Sequence, residues 1–194
     1  EDLFVIEKHI EYARTRHGNV SKISFPIVPS KAMASLVGHV FGDGYIGKKK
    51  RQFEYCNDNP NLLNEVRNYV REIFVLEPMT ERRNRIGYST IVGEVLELFG
   101  AHLAPKIYSN KTIPNWIKYG DSELKIVFLK ALFDDDGSVM YSKNYNAKGI
   151  NFYQIRDKSK LQSSHKFLDE LKWLLKEFNI MAGEPHLRKF YKIN

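Results

Sequence analysis

The sequence is poor in cysteine, since Cys56 is the one cysteine among 194 residues. An internal disulfide is therefore impossible, and zinc sites built from pairs of cysteines are excluded. This composition suits a reducing compartment, either a cytoplasm, where the protein would associate with the nucleoid, or an organellar matrix. No apolar run approaches the roughly 20 residues that a membrane helix needs, and no signal-peptide segment opens the chain.

The composition is otherwise that of a globular protein with an excess of positive charge. Hydrophobic residues make up 43% of the chain, which is enough to build a core. Lysine and arginine number 30 against 23 acidic residues, giving a net charge of +7. A basic protein tends to bind polyanions, of which nucleic acid is the most common, so the charge favours a nucleic-acid partner.

An internal repeat organises the chain. The helical pattern of residues 62–73 recurs 105 positions later at 167–178, and residues 36–44 recur 93 positions later at 129–137. The two offsets differ because the second copy carries an insertion. We predict four regions: a leader or cap over 1–29, a first repeat over 30–100, a linker over 101–120, and a second repeat over 121–194 without its last strand and helix.

Local signals within these regions predict helices, strands and connections. The leader is expected to be helical over 3–15, and the linker to cross between the repeats as a loop. Ser30 is expected to cap the first motif helix, and either Asp121 or Ser122 to cap the second.

Both motif helices end in Asp-Gly, at Asp43 and Asp136. Ala34, Gly38 and Gly42 lie on one stripe of the first helix, where small residues allow another helix to approach closely. Two such helices side by side would bring Asp43 and Asp136 together, although helix dipoles and mutual repulsion disfavour both charges there. A divalent cation such as Mg²⁺ would relieve this conflict, whereas the alternative interpretation is an ordinary Asp-Gly turn.

The two nonapeptides, 36–44 and 129–137, resemble the paired motifs of the LAGLIDADG homing endonucleases in their monomeric two-motif form. The resemblance covers about residues 30–180. It implies an α+β fold of tandem αββαββα repeats, forming two antiparallel saddle sheets around a central two-helix interface. It also implies site-specific hydrolysis of one phosphodiester in each strand of double-stranded DNA, with two or more Mg²⁺ ions and a role in intron homing.

The resemblance also implies roles for individual residues. Asp43 and Asp136 match the catalytic, metal-binding acids, and Gly42 and Asp135 would add backbone carbonyl ligands. Asp135 stands where the family has a small residue, so it would crowd the helix interface or add a third acid. The family places a basic residue near the centre, for which the sequence offers Arg82, Arg83, Arg85, Arg188, Lys189 and Lys192.

Basic and hydrogen-bonding side chains gather at the predicted hairpins and turns, where a β-ribbon places its contacts to phosphates and base edges. His39 and His102 have no second histidine at metal-binding spacing, so we expect structural roles for them. The residues predicted to contact DNA are Tyr45, Lys48, Lys49, Lys50, Arg51, Gln52, Arg82, Arg83, Arg85, Tyr88, Tyr141, Lys143, Asn144, Lys148, Gln154, Arg156, Arg188 and Lys189.

Two other functions remain open. The first is a protein of the same fold that binds without cleaving, either an RNA maturase acting on structured intron RNA or a DNA-binding regulator. The second is a paired-carboxylate hydrolase acting on a sugar, which the positive charge disfavours. We expect a monomer, because the duplication itself supplies the twofold. The sequence leaves open the target site and whether the gene lies in an intron, in an intein or alone.

Overall fold

The computed structural model describes residues 12–14, 20–23, 26–142 and 147–187. Two short antiparallel strands, β1 (Tyr12–Arg14) and β2 (Val20–Lys22), precede the repeats. The helix predicted over residues 3–15 is therefore wrong at residues 12–14, and the remainder of that prediction lies outside the described residues. Downstream, Ile23 and Ile27 are buried in the core.

The first repeat has the predicted order of elements. Its strands form one antiparallel sheet in the order β3-β4-β6-β5, in which β4 pairs with both β3 and β6. The elements are α1 (Lys31–Phe41), β3 (Gly44–Ile46), β4 (Phe53–Cys56), α2 (Pro60–Phe74), β5 (Thr80–Arg82), β6 (Arg85–Tyr88) and α3 (Thr90–Leu98).

The linker is more ordered than the predicted loop, because it contains a 3₁₀ turn at Lys106–Tyr108 and α4 (Asn115–Lys118). The second repeat then comprises α5 (Ser122–Asp136), β7 (Gly137–Ser142), β8 (Ala147–Phe152), a 3₁₀ turn at Lys158–Lys160 and α6 (Leu161–Glu177). Within the described ranges its sheet is the single hairpin β7-β8, so the expected second saddle is two strands wide.

Side-chain caps fix the starts of the two motif helices. The hydroxyl of Ser30 accepts a hydrogen bond from the backbone nitrogen of Met33 at 3.1 Å. At α5 the carboxylate of Asp121 accepts from the backbone nitrogen of Leu124 at 2.8 Å. Such bonds satisfy amides that a helix leaves unpaired in its first turn. The prediction for Ser30 is confirmed, and of the two candidates at α5 Asp121 is the cap.

The paired helices α1 and α5 form the centre of an α+β fold whose sheets are antiparallel. A Cβ atom at Gly38 would lie 2.7 Å from the carbonyl oxygen of Phe128 and 2.9 Å from the Cβ of Ala131. The small residue is therefore required, because the two backbones touch at this point. The aromatic ring of Phe41 in α1 packs against Phe128 of α5 and Phe167 of α6. In the described part of the chain, no helix has the length and apolar character that crossing a bilayer demands.

Candidate functional site

The two Asp-Gly helix ends meet at one end of the helix pair. A Cβ atom at Gly42 would overlap the carboxyl group of Asp135, so the end of α1 lies against the last turn of α5. The backbone nitrogen of Asp43 donates a hydrogen bond to Oδ2 of Asp135 at 3.1 Å. The two helix ends that carry the predicted acids are therefore in direct contact, with Asp43 two residues after α1 and Asp136 as the last residue of α5.

Asp135 fills the interface between the helices. Its side chain is fully buried and accepts hydrogen bonds from the hydroxyl of Tyr55 at 2.6 Å and from Nδ1 of His39 at 3.0 Å. Burial and the Asp135 charge hold the pKa of Tyr55 far above its usual range. The carboxylate of Asp135 is thus committed to hydrogen bonds inside the helix interface, and its charge still acts on Asp43. His39 has the structural role expected of it.

Asp43 lies in an environment that disfavours its charge. Burial is the main reason that its pKa is raised to about 6, and the neighbouring charges of Asp135 and Asp136 act in the same direction. Lys106 opposes this shift, as does Nδ2 of Asn57, which donates to Oδ2 of Asp43 at 2.9 Å. A positive charge that comes close to Asp43 would therefore stabilise the ionised form of its carboxyl group.

Asp136 differs from Asp43 because the charges of three basic side chains act on its carboxyl group. Burial raises the pKa of its carboxyl, while the charges of Lys106, Lys111 and Arg156 oppose the rise. Lys111 is 3% exposed, and its ammonium donates to the carbonyl oxygen of Phe41 at 2.7 Å. Arg156 is half-buried and donates to the backbone carbonyl of Lys106 and to Oε1 of Gln154.

Sequence reasoning missed Lys106 and Lys111 because the linker was interpreted as a plain connection. One signal was available, since residues 101–120 contain three lysines and no acidic residue. The basic residues proposed for the centre lie elsewhere. Arg82 and Arg83 are exposed, and Arg85 is exposed and pairs with Glu54 at 3.5 Å. The other candidates, Arg188, Lys189 and Lys192, lie outside the described residues.

The donor set decides which metal the site fits. The described residues contain no group of three or more His, Cys, Asp or Glu side chains arranged to hold a metal ion. Asp43 and Asp136 offer two carboxylates, which are the hard oxygen ligands that Mg²⁺ prefers. Because Mg²⁺ commonly takes one or two carboxylates and completes its shell with water and phosphate oxygens, the residues fit an ion shared with a phosphate-bearing substrate.

Most of the predicted DNA contacts in the first repeat point to solvent. Tyr45 is 48% exposed at β3, and the lysines at the tip of the β3-β4 hairpin are exposed together with Gln52. Arg82, Arg83 and Arg85 are exposed on the β5-β6 hairpin. Arg51 differs, because its Nε is paired with Glu97 at 2.7 Å. The exposed tip residues are Lys48, Lys49 and Lys50.

One of the predicted contacts is buried, and two others lie outside the described strands. Tyr88 is 2% exposed and stacks on Phe53 with ring centroids 5.9 Å apart, so its prediction as a DNA contact is wrong. Gln154 and Arg156 lie beyond the end of β8 and bond to each other, and their assignment as DNA contacts stays a prediction. Burial decided the outcome at Tyr88, since a polar tip on an aromatic side chain is compatible with either location.

The remaining predicted contacts lie in the second hairpin and at the end of the chain. Tyr141 and Lys148 are directly opposite each other on β7 and β8. Lys143, Asn144, Arg188 and Lys189 lie outside the described residues. Their assignment as DNA contacts stays a prediction.

Comparisons with known proteins find distant relatives. No family model matches the chain. It is 27% identical over 164 residues to the replication factor C small subunit of Methanocaldococcus jannaschii, covering 76% of this chain and 9% of that protein. It is 29% and 24% identical to the tRNA-splicing ligases RtcB of M. jannaschii and Methanopyrus kandleri, covering 76% of this chain in each case. The chain spans 18% and 17% of those two ligases.

Among solved structures, the chain is similar to the homing endonuclease I-WcaI, which was determined bound to its DNA recognition sequence. The match has 18% sequence identity and a TM-score of 0.45, and it covers 76% of this chain and 67% of that one.

Proposed function

We propose that this chain is a site-specific, Mg²⁺-dependent DNA endonuclease of the LAGLIDADG type, acting as a monomer on a double-stranded target. The observation that carries the proposal is the meeting of two Asp-Gly helix ends at one end of a close-packed helix pair. The contact of Gly42 with Asp135 and the bond from the Asp43 nitrogen to Asp135 support the proposal, because they join the two helix ends that carry Asp43 and Asp136. An ordinary turn has no need for a second acid at the equivalent repeat position.

In this proposal Asp43 and Asp136 would hold the metal ions, with the carbonyls of Gly42 and Asp135 as further ligands. When bound, Mg²⁺ would supply Lewis-acid polarisation of a phosphoryl oxygen, a more acidic water and charge compensation at the leaving 3′ oxygen. Asn57, hydrogen-bonded to Asp43, fixes the orientation of that carboxylate. Lys106, whose charge acts on both acids, takes the place of the basic residue that the sequence left unassigned.

The exposed side chains of the first repeat supply the DNA contacts. Lysines at the hairpin tip neutralise backbone phosphates, and Tyr45 on β3 and Gln52 just before β4 reach base edges. Because β3 and β4 are antiparallel, Tyr45 faces the same side of the sheet as its partner Glu54. This division of contacts gives affinity through phosphates and specificity through the strand face.

The relatives support the interpretation of this chain as a module that occurs within different proteins. Segments of 164 to 173 residues similar to this chain lie within longer proteins that carry two different names. A module found in proteins of different activities is independent of both, so we propose neither replication nor RNA ligation for this chain. Of the three genomic settings left open, this recurrence favours an intein. A host reading frame interrupted by this segment in its own gene would establish that setting.

One observation favours the second candidate, a binding protein that does not cleave. Within the described residues the second sheet has two strands, against four in the first, which narrows the surface available to one half of a DNA site. An RNA maturase or a DNA-binding regulator tolerates such asymmetry.

A cleavage selection on a library of randomised duplex DNA tests the proposal. Wild-type protein is incubated with Mg²⁺ beside Asp43→Asn and Asp136→Asn, and cleaved molecules are sequenced. We expect enrichment of one long site, with each variant at least ~10²-fold slower, because each loses a charge that binds the metal. EDTA should abolish cleavage by the wild type.

Asp134→Asn is the matched control, because Asp134 belongs to the same acidic run but is exposed and paired with Lys130 at 2.7 Å. It should cleave at close to the wild-type rate. Binding of one site without cleavage, unchanged in all three variants, would reject the endonuclease and leave the maturase or regulator.

A further inference from the structure

The side chain of Asp135 joins α5 to three separate parts of the first repeat. Its Oδ2 accepts hydrogen bonds from the backbone nitrogen of Asp43 at 3.1 Å and from Nδ1 of His39 in α1 at 3.0 Å. Its Oδ1 accepts from the hydroxyl of Tyr55 in β4 at 2.6 Å. The Asp135 side chain is 0% exposed, so any movement that breaks one of these bonds leaves a polar group unpaired in the interior.

The counterparts of Asp135 and His39 in the other copy of the repeat have no polar side chain. The offset of 93 between the motif helices pairs Asp135 with Gly42 and His39 with Leu132. Gly42 provides the space for Asp135, because a Cβ atom at Gly42 would lie 2.5 Å from Oδ2 of Asp135. The hydrogen-bonded contact between the helix ends therefore has no symmetric partner at these positions.

The counterpart of Tyr55 also lacks its hydrogen-bonding group. Tyr55 faces Gly44 across β3 and β4, and Phe152 faces Gly137 across β7 and β8. Because Gly44 and Gly137 are themselves 93 positions apart, Phe152 is the counterpart of Tyr55. Phenylalanine supplies the same ring without the hydroxyl, so ring packing alone does not explain why the first copy has a tyrosine.

Packing alone does not explain His39 either. Its Nε2 is buried and has no hydrogen-bond partner in the part of the chain that the structure describes, which costs free energy. Leu132, the fully buried counterpart, avoids this cost. The bond from Nδ1 of His39 to Asp135 is therefore the feature that distinguishes the histidine from an apolar residue.

We propose that Asp135 is a positioning residue, which fixes the backbone of Asp43 against α5 through the hydrogen bond from the Asp43 nitrogen. Its two side-chain partners hold the carboxylate in place for that bond. The backbone of Asp136 receives no equivalent bond, because the counterpart of Asp135 is Gly42. The inference rests on the proposed function for the role of Asp43, and it makes the two halves of the site unequal.

The first test observes Asp43 without DNA or metal. Amide hydrogen exchange is followed by NMR in wild type and in Asp135→Ala, which deletes the side chain and keeps the backbone carbonyl. Exchange at the Asp43 amide should become about tenfold faster, because its acceptor is removed. The amide of Gly137 is the internal control, since it donates to the carbonyl of Phe133 at the end of its own helix and should be unchanged.

A milder variant guards against misfolding as the explanation. Tyr55→Phe deletes one oxygen and keeps the ring, and it should also speed exchange at Asp43. Tyr69→Phe is the matched control, because the Tyr69 hydroxyl donates to Glu65 at 2.7 Å and not to Asp135. It should leave exchange at Asp43 as in the wild type.

The second test measures cleavage of each DNA strand separately. The duplex recovered from the cleavage selection carries a different fluorophore on each strand. Tyr55→Phe should slow one strand by about tenfold and the other by less than about twofold, because only the acid at Asp43 is displaced. Nicked duplex should therefore accumulate, whereas Tyr69→Phe should keep the wild-type ratio of rates.

A double variant shows whether Tyr55 acts through Asp135. In the background of Asp135→Ala, Tyr55→Phe should cause no further change in either rate, because the hydroxyl has already lost its acceptor. A further loss of the same size in that background would mean that Tyr55 acts independently and would contradict the proposal.

The outcomes separate the positioning role from the endonuclease. Unchanged exchange at Asp43 in Asp135→Ala, equal acceleration at Gly137, or equal slowing of both strands in Tyr55→Phe would overturn the positioning role even if the protein cleaves DNA. Faster exchange at Asp43 alone, in a protein that never cleaves, would support the positioning of Asp43 by Asp135 and reject the endonuclease.

Discussion

The hairpins of the two repeats have the same register but opposite environments. Ile46 faces Phe53 across β3 and β4, and both side chains are fully buried. Val139 faces Ile150 across β7 and β8, yet these side chains are 81% and 67% exposed. The difference arises from the elements that cover the first hairpin, because Tyr88 of β6 stacks on Phe53 and Gly93 of α3 packs close to Ile46.

The comparison teaches that a hairpin sequence specifies the pairing of its strands and not their burial. A two-stranded hairpin is marginal in water unless a further layer covers its apolar face. Among the described residues, the second hairpin has no counterpart of β6 or α3. The stability of the fold should therefore be concentrated in the first sheet and in the α1-α5 interface.

The largest expected difference between the repeats concerns the facing apolar residues. Phe53→Ala should lower the free energy of unfolding by about 3–5 kcal/mol, because it empties a fully buried site. Ile150→Ala should change it by less than about 0.5 kcal/mol, since most of that side chain is in water. Urea denaturation measures both. A cost at Ile150 similar to that at Phe53 would mean that the second hairpin is covered in solution.

The next difference contrasts two glycines. Gly38→Ala should destabilise by about 1–3 kcal/mol, because the new methyl group would press on the backbone of α5 and force the helices apart. Gly149→Ala in β8 meets nothing within 4 Å and should be neutral or stabilise by about 0.5 kcal/mol. Thermal unfolding of the two variants provides the measurement. A neutral Gly38→Ala would contradict the close contact of α1 and α5.

A smaller effect concerns the pH dependence of stability, which should arise from a buried histidine of the linker and not from an exposed histidine of α6. Burial and nearby cations lower the pKa of His102 to about 2, so its imidazole stays neutral in the folded protein. The unfolded chain takes up a proton below about pH 6.5, so acid favours unfolding by about 1.4 kcal/mol per pH unit below that value. This loss of stability continues as the pH falls toward the folded pKa.

His102→Leu should remove that part of the pH dependence, whereas His165→Gln on the exposed face of α6 should leave it unchanged. Unfolding free energies at neutral pH and at mildly acid pH test this expectation. An equal acid sensitivity in wild type and His102→Leu would show that another group is responsible.

The smallest effect, the loss of stability when a helix cap is removed, should be equal in the two repeats. Ser30→Ala and Asp121→Ala each remove a side chain that caps a motif helix, at a cost of about 1 kcal/mol. Because a cap acts within one turn, the asymmetry of the sheets should not alter it. Unequal losses in denaturant titrations would show that local helix starts also depend on the surrounding repeat.

Parts of the candidate site were accessible from sequence because they depend on neighbours along the chain. The stripe of Ala34, Gly38 and Gly42 indicated a close helix contact, and the structure shows that contact at Gly38 and Gly42. The order of elements in the first repeat was predictable from periodicity and turn residues. Asp43 and Asp136 were singled out because each ends a repeated helix, and their catalytic role remains to be tested by mutation.

Other parts were inaccessible because they depend on residues far apart in the sequence. The burial of Asp135 results from Tyr55, 80 positions away, and from His39, 96 positions away. Lys111 reaches Phe41 across 70 positions, which no local pattern reveals. Tyr88 was predicted as a DNA contact because its hydroxyl could bond to a base edge. Its side chain is buried instead, because its ring packs on Phe53.

The sequence by itself determined the duplication, the cap of the first motif helix, the small-residue stripe and the two Asp-Gly ends. Capping, periodicity and steric fit act within one or two turns, so the chain carries them in readable form. The tertiary structure alone decided which charges are buried, which apolar face is left uncovered, and which cations face Asp136. Those properties depend on how distant segments pack and exclude water, and water exclusion sets the cost of an unpaired charge.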